Sequence, residues 1–135
     1  MVLSQTATYA LQALVTLAGL QPGERATVDE LAEGLGRPRN YLSKILHQLA
    51  SAGVLDSSRG PGGGFRLARP PEELRLIEVV RQFDDVPREP VCLLGWNRCS
   101  DDDPCPAHAR WRTLSAPLAD FFEQTSLADL VGDVH

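Results

Sequence analysis

Apolar side chains recur at helical spacing near the start of the chain. Between residues 4 and 20, six positions share one helix face: Ala7, Ala10, Leu11, Leu14, Leu17 and Ala18. Ser4 can cap this predicted first helix, and Gly19 with Pro22-Gly23 ends it. The chain therefore begins with an amphipathic helix whose apolar face needs a partner.

Two further helices are predicted directly after the first. Thr27-Val-Asp-Glu30 is a capping box that opens a short second helix, and Gly36 is a natural stop. In the third helix, Pro38 suits the first position, and the core face follows i, i+3, i+4, i+7 spacing: Leu42, Ile45, Leu46 and Leu49. The opposite face presents hydrogen-bonding or cationic side chains: Arg39, Asn40, Ser43, Lys44 and His47. Two short helices joined by a tight turn, the second with such a polar face, are typical of a helix-turn-helix, although many helical domains contain a similar pair.

The next stretch predicts a β-hairpin. Residues 54–59 and 65–68 are suited to two strands, and Gly60-Pro61-Gly62-Gly63-Gly64 forms a turn that only glycines permit. The glycine run lacks the Lys-Ser/Thr ending of a nucleotide-binding loop and leads into a strand, which disfavours that alternative. A hairpin directly after a recognition helix is the wing of a winged helix.

The second half predicts more helices. Residues 74–83 form one, and Asp103 and Pro104 are suited to the cap and first position of a long helix. This helix carries an apolar seam at 3-4-3 spacing: Trp111, Leu114, Leu118 and Phe121. The seam indicates homodimerisation, with packing on its own domain as the alternative. Pro117 should kink the helix, and Ser126 caps a short final one.

The charge is unevenly distributed. The 135-residue chain has a net charge of −5, yet residues 1–70 carry seven Lys/Arg and five Asp/Glu, whereas residues 71–135 carry six and thirteen. Between residues 37 and 69 there are six basic residues and a single acidic one, Asp56. Such a basic island marks a candidate phosphate-binding face, with a solvated surface as the alternative.

The chain shows no signal peptide or apolar run of membrane-spanning length, so we expect a cytoplasmic protein without a membrane partner.

All three cysteines and one histidine fall within seventeen residues: Cys92, Cys99, Cys105 and His108. In the cytosol such cysteines are ligands or reactive thiols more often than disulfides. Cys105 and His108 are three residues apart at the start of the predicted long helix, so both should face the same way, and the helix N-terminus favours the thiolate. Three alternatives stay open: an iron–sulfur cluster, structural zinc, or a metal-free thiol sensor.

The helix-turn-helix and wing carry a family resemblance. Tyr41-Leu42, Ile45-Leu46, Leu49, Gly53-Val54-Leu55 and the run from Ser58 to Phe65 resemble the Rrf-two family of iron–sulfur winged-helix regulators, which includes the IscR and NsrR branches. The Arg-Gly-Pro-Gly-Gly-Gly wing is the most specific element. The resemblance runs from about residue 1 to residue 131.

The resemblance implies that Cys92, Cys99, Cys105 and His108 hold an iron–sulfur cluster. The spacing from Cys92 to Cys99 looks one residue longer than in IscR-like proteins. The NsrR branch takes an acidic ligand from the first helix of the partner subunit, and residues 5–8 offer no carboxylate there. This favours His108 as the fourth ligand and a 2Fe–2S cluster over 4Fe–4S.

We therefore expect a mainly α fold with a small β-hairpin. Residues 1–70 are expected to form a winged helix-turn-helix DNA-binding domain, and residues 71–135 a cluster-binding loop and a dimerisation helix. The partners expected are a second copy of the chain and double-stranded DNA with a palindromic operator. The residues expected to contact DNA lie on the third helix and the wing: Arg39, Asn40, Ser43, Lys44, His47, Arg59, Gly60 and Gly62.

The expected function is transcriptional repression controlled by the cluster. The chain has no recognisable catalytic triad, Walker loop or paired acid/base site, so we do not expect an enzyme. The alternatives are a cluster-free or zinc-containing thiol-based regulator of the same fold, and a small iron–sulfur redox protein. A small iron–sulfur redox protein would need neither the basic face nor the wing.

Overall fold

The structure is a computed structural model that describes residues 3–84, 94 and 106–132. Its helices and strands follow in this order: α1 (Gln5–Ala18), α2 (Val28–Leu35), α3 (Arg39–Ser51), β1 (Leu55–Ser58), β2 (Gly64–Leu67), a 3-10 turn (Pro71–Glu73), α4 (Leu76–Val80), α5 (His108–Gln124) and α6 (Leu127–Gly132). The predicted mainly α fold with a small β-hairpin is confirmed. No helix in these ranges is long and apolar enough to cross a membrane.

Local capping signals set the ends of the first helices. The Ser4 hydroxyl accepts a hydrogen bond from the Ala7 amide at 3.1 Å. In the capping box, Thr27 Oγ1 accepts from the Glu30 amide at 3.1 Å, and the Glu30 carboxylate accepts from the Thr27 amide at 3.2 Å. Pro38 has an extended backbone and precedes α3 as its cap, so its prediction as the first helical residue is wrong by one position.

One hydrophobic core joins the helix-turn-helix, the hairpin and the C-terminal part. Its centre is formed by fully buried leucines of α1 and α3: Leu14, Leu42, Leu46 and Leu49. Phe65 enters from β2, and Leu74, Val79 and Leu127 enter from beyond residue 70. Each buried leucine contributes about 1.5–3 kcal/mol through loss of apolar surface from water. The core therefore fixes α3 and the hairpin on a common base.

The hairpin is antiparallel, with Leu55 opposite Leu67 and Ser58 opposite Gly64. Each strand has four residues, shorter or shifted by one from the prediction. A further bridge pairs Ala26 with Phe65, through N···O distances of 2.7 and 3.0 Å. Gly64 has a φ of 128°, and a Cβ there would lie 2.6 Å from the Ala26 carbonyl oxygen. The close approach of the hairpin to Ala26, two residues before α2, thus requires glycine at position 64.

The C-terminal helices differ from the prediction at their starts. Only residues 76–80 of the predicted 74–83 helix form α4, because Arg75 pairs with Ser126 in an antiparallel bridge. The Leu76 amide donates to the Thr125 carbonyl, and the Leu127 amide to the Leu74 carbonyl. These bonds keep residues 74–75 extended. Ser126 caps α6 as predicted, since its hydroxyl accepts from the Asp129 amide at 3.3 Å.

The start of α5 corrects another prediction. The helix begins at His108, after Ala107, so Asp103 is not its cap and Pro104 is not its first residue. Cys105, which was predicted to share the first helical turn with His108, lies outside the described residues. The helix continues through Pro117 to Gln124.

Candidate nucleic-acid interface and cysteine segment

The polar face of α3 lies at the surface. Arg39, Asn40, Lys44 and His47 are exposed and Ser43 is partly exposed, because the opposite face is fixed in the core by the buried leucines and Ile45. The helix periodicity read from the sequence thus separates the two faces correctly. A helix with such an exposed face can enter the major groove of DNA.

The N-terminal end of α3 is attached to its neighbours by polar contacts. Arg39 Nε donates to Asp29 Oδ1 at 2.5 Å, which joins α3 to the first turn of α2. The Tyr41 hydroxyl is hydrogen-bonded to Thr6 of α1, and the Tyr41 ring packs edge-on against Tyr9 with centroids 5.6 Å apart. These contacts fix the end of the helix from which base contacts are made in a helix-turn-helix.

His47 joins α3 to the wing. Its Nδ1 lies 2.7 Å from the Ser43 carbonyl oxygen, and since a carbonyl only accepts, Nδ1 carries the proton. The imidazole packs edge-on against Phe65 of β2, with centroids 5.5 Å apart. His47 therefore lies on the predicted surface and also supports the position of the hairpin.

The wing projects Arg59, Gly60 and Gly62 into solvent. Gly60 and Gly62 have φ angles of 83° and 73°, a region that glycine enters without strain. Arg59 makes no hydrogen bond or ion pair with any residue that the structure describes. Its guanidinium is therefore available to an external anion.

Arg25 connects the segment before α2 to the hairpin, a role that was not predicted from the sequence. Its Nη1 donates to the carbonyls of Asp56 at 3.2 Å and Gly64 at 3.3 Å, one from each strand. Its Nη2 donates to Asp56 Oδ2 at 3.1 Å, and Arg66 Nε donates to the same oxygen at 3.0 Å. Hydrogen bonds from Arg25 and then Arg66 lower the pKa of the Asp56 carboxyl.

Internal partners reduce the basic island that the charge count indicated. Arg66 pairs with Asp56, and Arg69 forms a two-point ion pair with Glu78 at 2.9 and 3.1 Å. The Arg37 guanidinium lies 4.3 Å from the centroid of the Tyr9 ring. Lys44 and Arg59 have no such partner among the described residues. A positive face remains, but two side chains supply most of its free charge.

The cysteine segment, residues 92–108, lies mostly outside the described residues. This applies to Cys92, Cys99 and Cys105, so their role as ligands stays a prediction. His108 is the partly buried first residue of α5. The described part of the chain contains no group of three or more histidine, cysteine, aspartate or glutamate side chains placed to hold a metal. Thiolates and an imidazole are donors that suit an iron–sulfur cluster and also zinc.

Several described residues lie near the segment in the sequence. Leu94, between Cys92 and Cys99 in the sequence, lines a groove with residues 106–107 and with the first turns of α5: Arg110, Trp111 and Leu114. At the other side, Gln48 Nε2 of α3 donates to the Gln82 carbonyl at 2.8 Å. The Ser4 amide donates to Asp84 Oδ2 at 2.8 Å. The chain entering the segment is thus bonded to α3 and to α1.

The apolar seam of α5 is exposed in the single chain. Leu114, Leu118 and Phe121 are 66%, 38% and 48% exposed. Packing on its own domain, the alternative considered above, therefore leaves much of these three side chains uncovered. Contiguous exposed apolar side chains of this kind mark interaction surfaces.

Comparisons with known proteins agree with this architecture. A candidate HTH-type transcriptional regulator of Aquifex aeolicus (strain VF5) is 38% identical over 133 residues, which cover 97% of this chain and 92% of that protein. The HTH-type transcriptional regulator NsrR of Bacillus subtilis (strain 168) is also 38% identical, over 57% of this chain and 53% of its own length.

Solved structures show the same fold. CymR (YrzC), the global cysteine regulator of B. subtilis, superposes with a TM-score of 0.83 at 21% identity, over 100% of this chain and 99% of CymR. IscR of T. potens superposes with a TM-score of 0.78 at 22% identity, over 100% of this chain and 89% of IscR. The sequence profile of the Rrf2 family, described as iron-dependent transcriptional regulators, matches residues 3–133. The chain therefore belongs to the Rrf2 (Rrf-two) family and is a DNA-binding transcriptional regulator.

Proposed function

We propose that the chain is a homodimeric repressor whose affinity for a palindromic operator is controlled by an iron–sulfur cluster. The ligands are Cys92, Cys99, Cys105 and His108, and the cluster is 2Fe–2S. The observation that carries the proposal is that the chain shortly before the cysteine segment is hydrogen-bonded to the proposed DNA-reading elements. Residues 82–84 lead into the segment and are hydrogen-bonded to α3 and α1.

The DNA contacts follow from the exposed face of α3 and from the wing. In the major groove, Asn40 can pair through two hydrogen bonds with adenine, and Arg39 with guanine. Ser43 and Lys44, one turn further on, reach bases or phosphates. Arg59 extends the surface through the wing, where its free guanidinium suits the minor groove. Gly60 and Gly62 keep this turn narrow enough to approach the backbone.

The ligand set explains how the cluster would respond to its surroundings. Replacing a thiolate by an imidazole raises the reduction potential of such a cluster and makes ligation sensitive to protonation. His108 is the residue that joins the cluster to α5, because it is the first residue of that helix. The segment before Cys92 joins it to α3 through the Gln48–Gln82 bond. A change in ligation can therefore reach both the reading helix and the dimer helix.

Homodimerisation follows from the exposed seam on α5. Covering Leu114, Leu118 and Phe121 with the same surface of a second copy removes apolar area from water. A two-fold dimer places two α3 helices on one side of the duplex. Half-sites about one helical turn apart, related by the same symmetry, are then required.

The test is anaerobic purification followed by absorption spectroscopy and iron and sulfide analysis. Equal iron and sulfide, in the amount per chain that a 2Fe–2S cluster requires and with visible absorption, supports the proposal, whereas twice that amount per chain would indicate 4Fe–4S. Cys99→Ala is expected to abolish that absorption while the protein stays a folded dimer. Bound zinc, or loss of folding in Cys99→Ala, would instead indicate a structural zinc site, and metal-free thiols a thiol sensor of the same fold.

His108 has a matched control at the end of the chain. His108→Ala is expected to change the spectrum and its pH dependence, whereas His135→Ala should leave both as in the wild type. An identical spectrum for both variants would remove His108 from the ligand set. Gel-shift titrations of the cluster-loaded and cluster-free protein on the same promoter DNA then test control by the cluster. Equal affinities of the two forms would refute it.

A further inference from the structure

We propose that Asp29 is a specificity-determining positioning residue, which orients Arg39 for contact with a DNA base. The inference rests on the proposed function, in which α3 reads DNA. Asp29 itself belongs to α2 and touches no base. It acts through the hydrogen bond between its Oδ1 and Nε of Arg39, at 2.5 Å.

The geometry leaves the base-reading edge of Arg39 available. A guanidinium has five N–H donors in a rigid, planar fork. Asp29 occupies the donor on Nε, and Arg39 makes no other hydrogen bond or ion pair within the described part of the chain. The two terminal amino groups therefore remain for guanine O6 and N7, the commonest specific contact in the major groove.

The position of each residue on its helix explains why the pair is needed. Arg39 is the first residue of α3, where the partial positive charge of the helix N-terminus repels a guanidinium. Asp29 lies in the first turn of α2, where the same effect favours a carboxylate. Without Asp29 the Arg39 side chain would sample many rotamers in solvent. With Asp29 the paired rotamer is favoured before DNA arrives.

Stabilisation of the fold is a poor explanation for the same contact. The two side chains are 58% and 73% exposed, and ion pairs with this exposure contribute little to folding. A carboxylate beside a DNA-binding face also weakens sequence-independent attraction to phosphates. Asp29 should therefore lower affinity for random DNA and raise affinity for the operator, and both effects increase specificity.

Lys44 and Arg59 provide the contrast within the same surface. Neither has a partner among the described residues, so no neighbouring side chain orients either cation for a base contact. Phosphate contacts position a protein on the duplex, whereas base contacts select the sequence. The structure thus assigns sequence selection to the oriented cation, Arg39.

The experiment compares two DNA probes. One is a duplex that the wild-type protein selects from a random-sequence pool, and the other is a random-sequence duplex of equal length. Asp29→Asn keeps the shape of the side chain and removes its charge. Affinity for the selected duplex is expected to fall about two- to fivefold, which corresponds to the contribution of an exposed ion pair, while affinity for the random duplex stays equal or rises.

Glu33→Gln is the matched control. Glu33 lies on the same helix, is exposed, and makes no ion pair with a described residue. This variant changes the net charge by the same amount as Asp29→Asn. Its affinities for both duplexes should rise together, so their ratio should match that of the wild type. Circular dichroism is expected to show wild-type helix content for both variants.

The double variant tests the route through Arg39. Arg39→Gln alone should lower the ratio of the two affinities, and adding Asp29→Asn should change it by less than about twofold, since coupled residues do not act additively. The inference is overturned if Asp29→Asn retains the wild-type ratio, if Glu33→Gln lowers it equally, or if Asp29→Asn acts in full without Arg39. A wild-type protein that selects no sequence would instead refute the proposed function.

Discussion

Arg25→Gln should loosen the wing without unfolding the protein. Arg25 is 16% exposed and donates from one nitrogen to carbonyls on both strands of the hairpin. Glutamine keeps a polar side chain but is too short to reach both acceptors. The substitution therefore removes the hydrogen bond that Arg25 donates to each of two backbone carbonyls, at the base of the turn that carries Arg59.

The size of the effect follows from those two bonds. Their lengths, 3.2 and 3.3 Å, are at the long end for N–H···O contacts, so each contributes about 0.5–1 kcal/mol. The ion pair to Asp56 adds little, because that carboxylate is exposed to solvent. Opening of the hairpin should become easier by about 1–2 kcal/mol. This raises the open population about 5- to 30-fold.

Amide hydrogen exchange measures this opening directly. The amides of Ala26 and Phe65, which bond to each other's carbonyls, should exchange about 5- to 30-fold faster in Arg25→Gln. The amide of Leu46, in the buried centre of α3, should keep its wild-type rate. Arg66→Gln is the control, because the Arg66 side chain donates to the same Asp56 oxygen but to no backbone carbonyl of a described residue. It should change exchange at Ala26 and Phe65 by less than about twofold.

Two results would refute this reasoning. Equal acceleration in Arg25→Gln and Arg66→Gln would show that the Asp56 carboxylate, and not the backbone carbonyls, holds the hairpin. Acceleration that extends to Leu46 would show that Arg25 supports the whole core. Either outcome would assign Arg25 a different structural role.

Three further changes test other parts of the molecule. Arg59→Ala should weaken binding to all DNA sequences and reduce the slope of log K against log salt by about 0.9, so an unchanged slope would remove Arg59 from the interface. The hydrogen bond from Arg69 lowers the pKa of Glu78. This pair therefore stabilises the folded protein at pH values above the ordinary glutamate pKa of about 4.3. The stabilisation is lost as the pH falls through the lower pKa of the folded state. Glu78→Gln should therefore show a smaller drop in urea midpoint between pH 7 and pH 3 than the wild type, and an equal drop would contradict the assignment. Leu118→Glu should yield a monomer in sedimentation velocity with wild-type circular dichroism, whereas a persisting dimer would place the interface elsewhere.

Elements defined by local signals were predictable from the sequence. The capping box at Thr27, the stop at Gly36 and the periodic leucines of α3 act within a few residues of each other, and the structure has each of them where expected. The turn of the hairpin is equally local, because left-handed backbone at Gly60 and Gly62 is encoded by residue type alone. These signals were sufficient to identify the winged helix-turn-helix.

Elements defined by distant partners were not predictable. The start of α4 depends on the pairing of Arg75 with Ser126, fifty-one positions away in the sequence. The role of Arg25 depends on Asp56 and Gly64, at separations of 31 and 39 residues. A count of charges could not show that Arg66 and Arg69 are already paired. The candidate interface is consequently less positive than the composition indicated.

Under the proposed control by a cluster, two hydrogen bonds at residues 82–84 would connect the cysteine segment to the DNA-binding helices. Gln48 donates to the Gln82 carbonyl, and the Ser4 amide donates to Asp84, both at 2.8 Å. Each such bond contributes about 0.5–1.5 kcal/mol net, so both together amount to about 1–3 kcal/mol. That equals the usual coupling free energy between two sites, a 5- to 150-fold change in affinity. Bonds of this strength can be exchanged without disturbing the core that positions α3. If the proposed control by a cluster is correct, breaking these two bonds would therefore be sufficient to change DNA affinity while α3 itself remains folded.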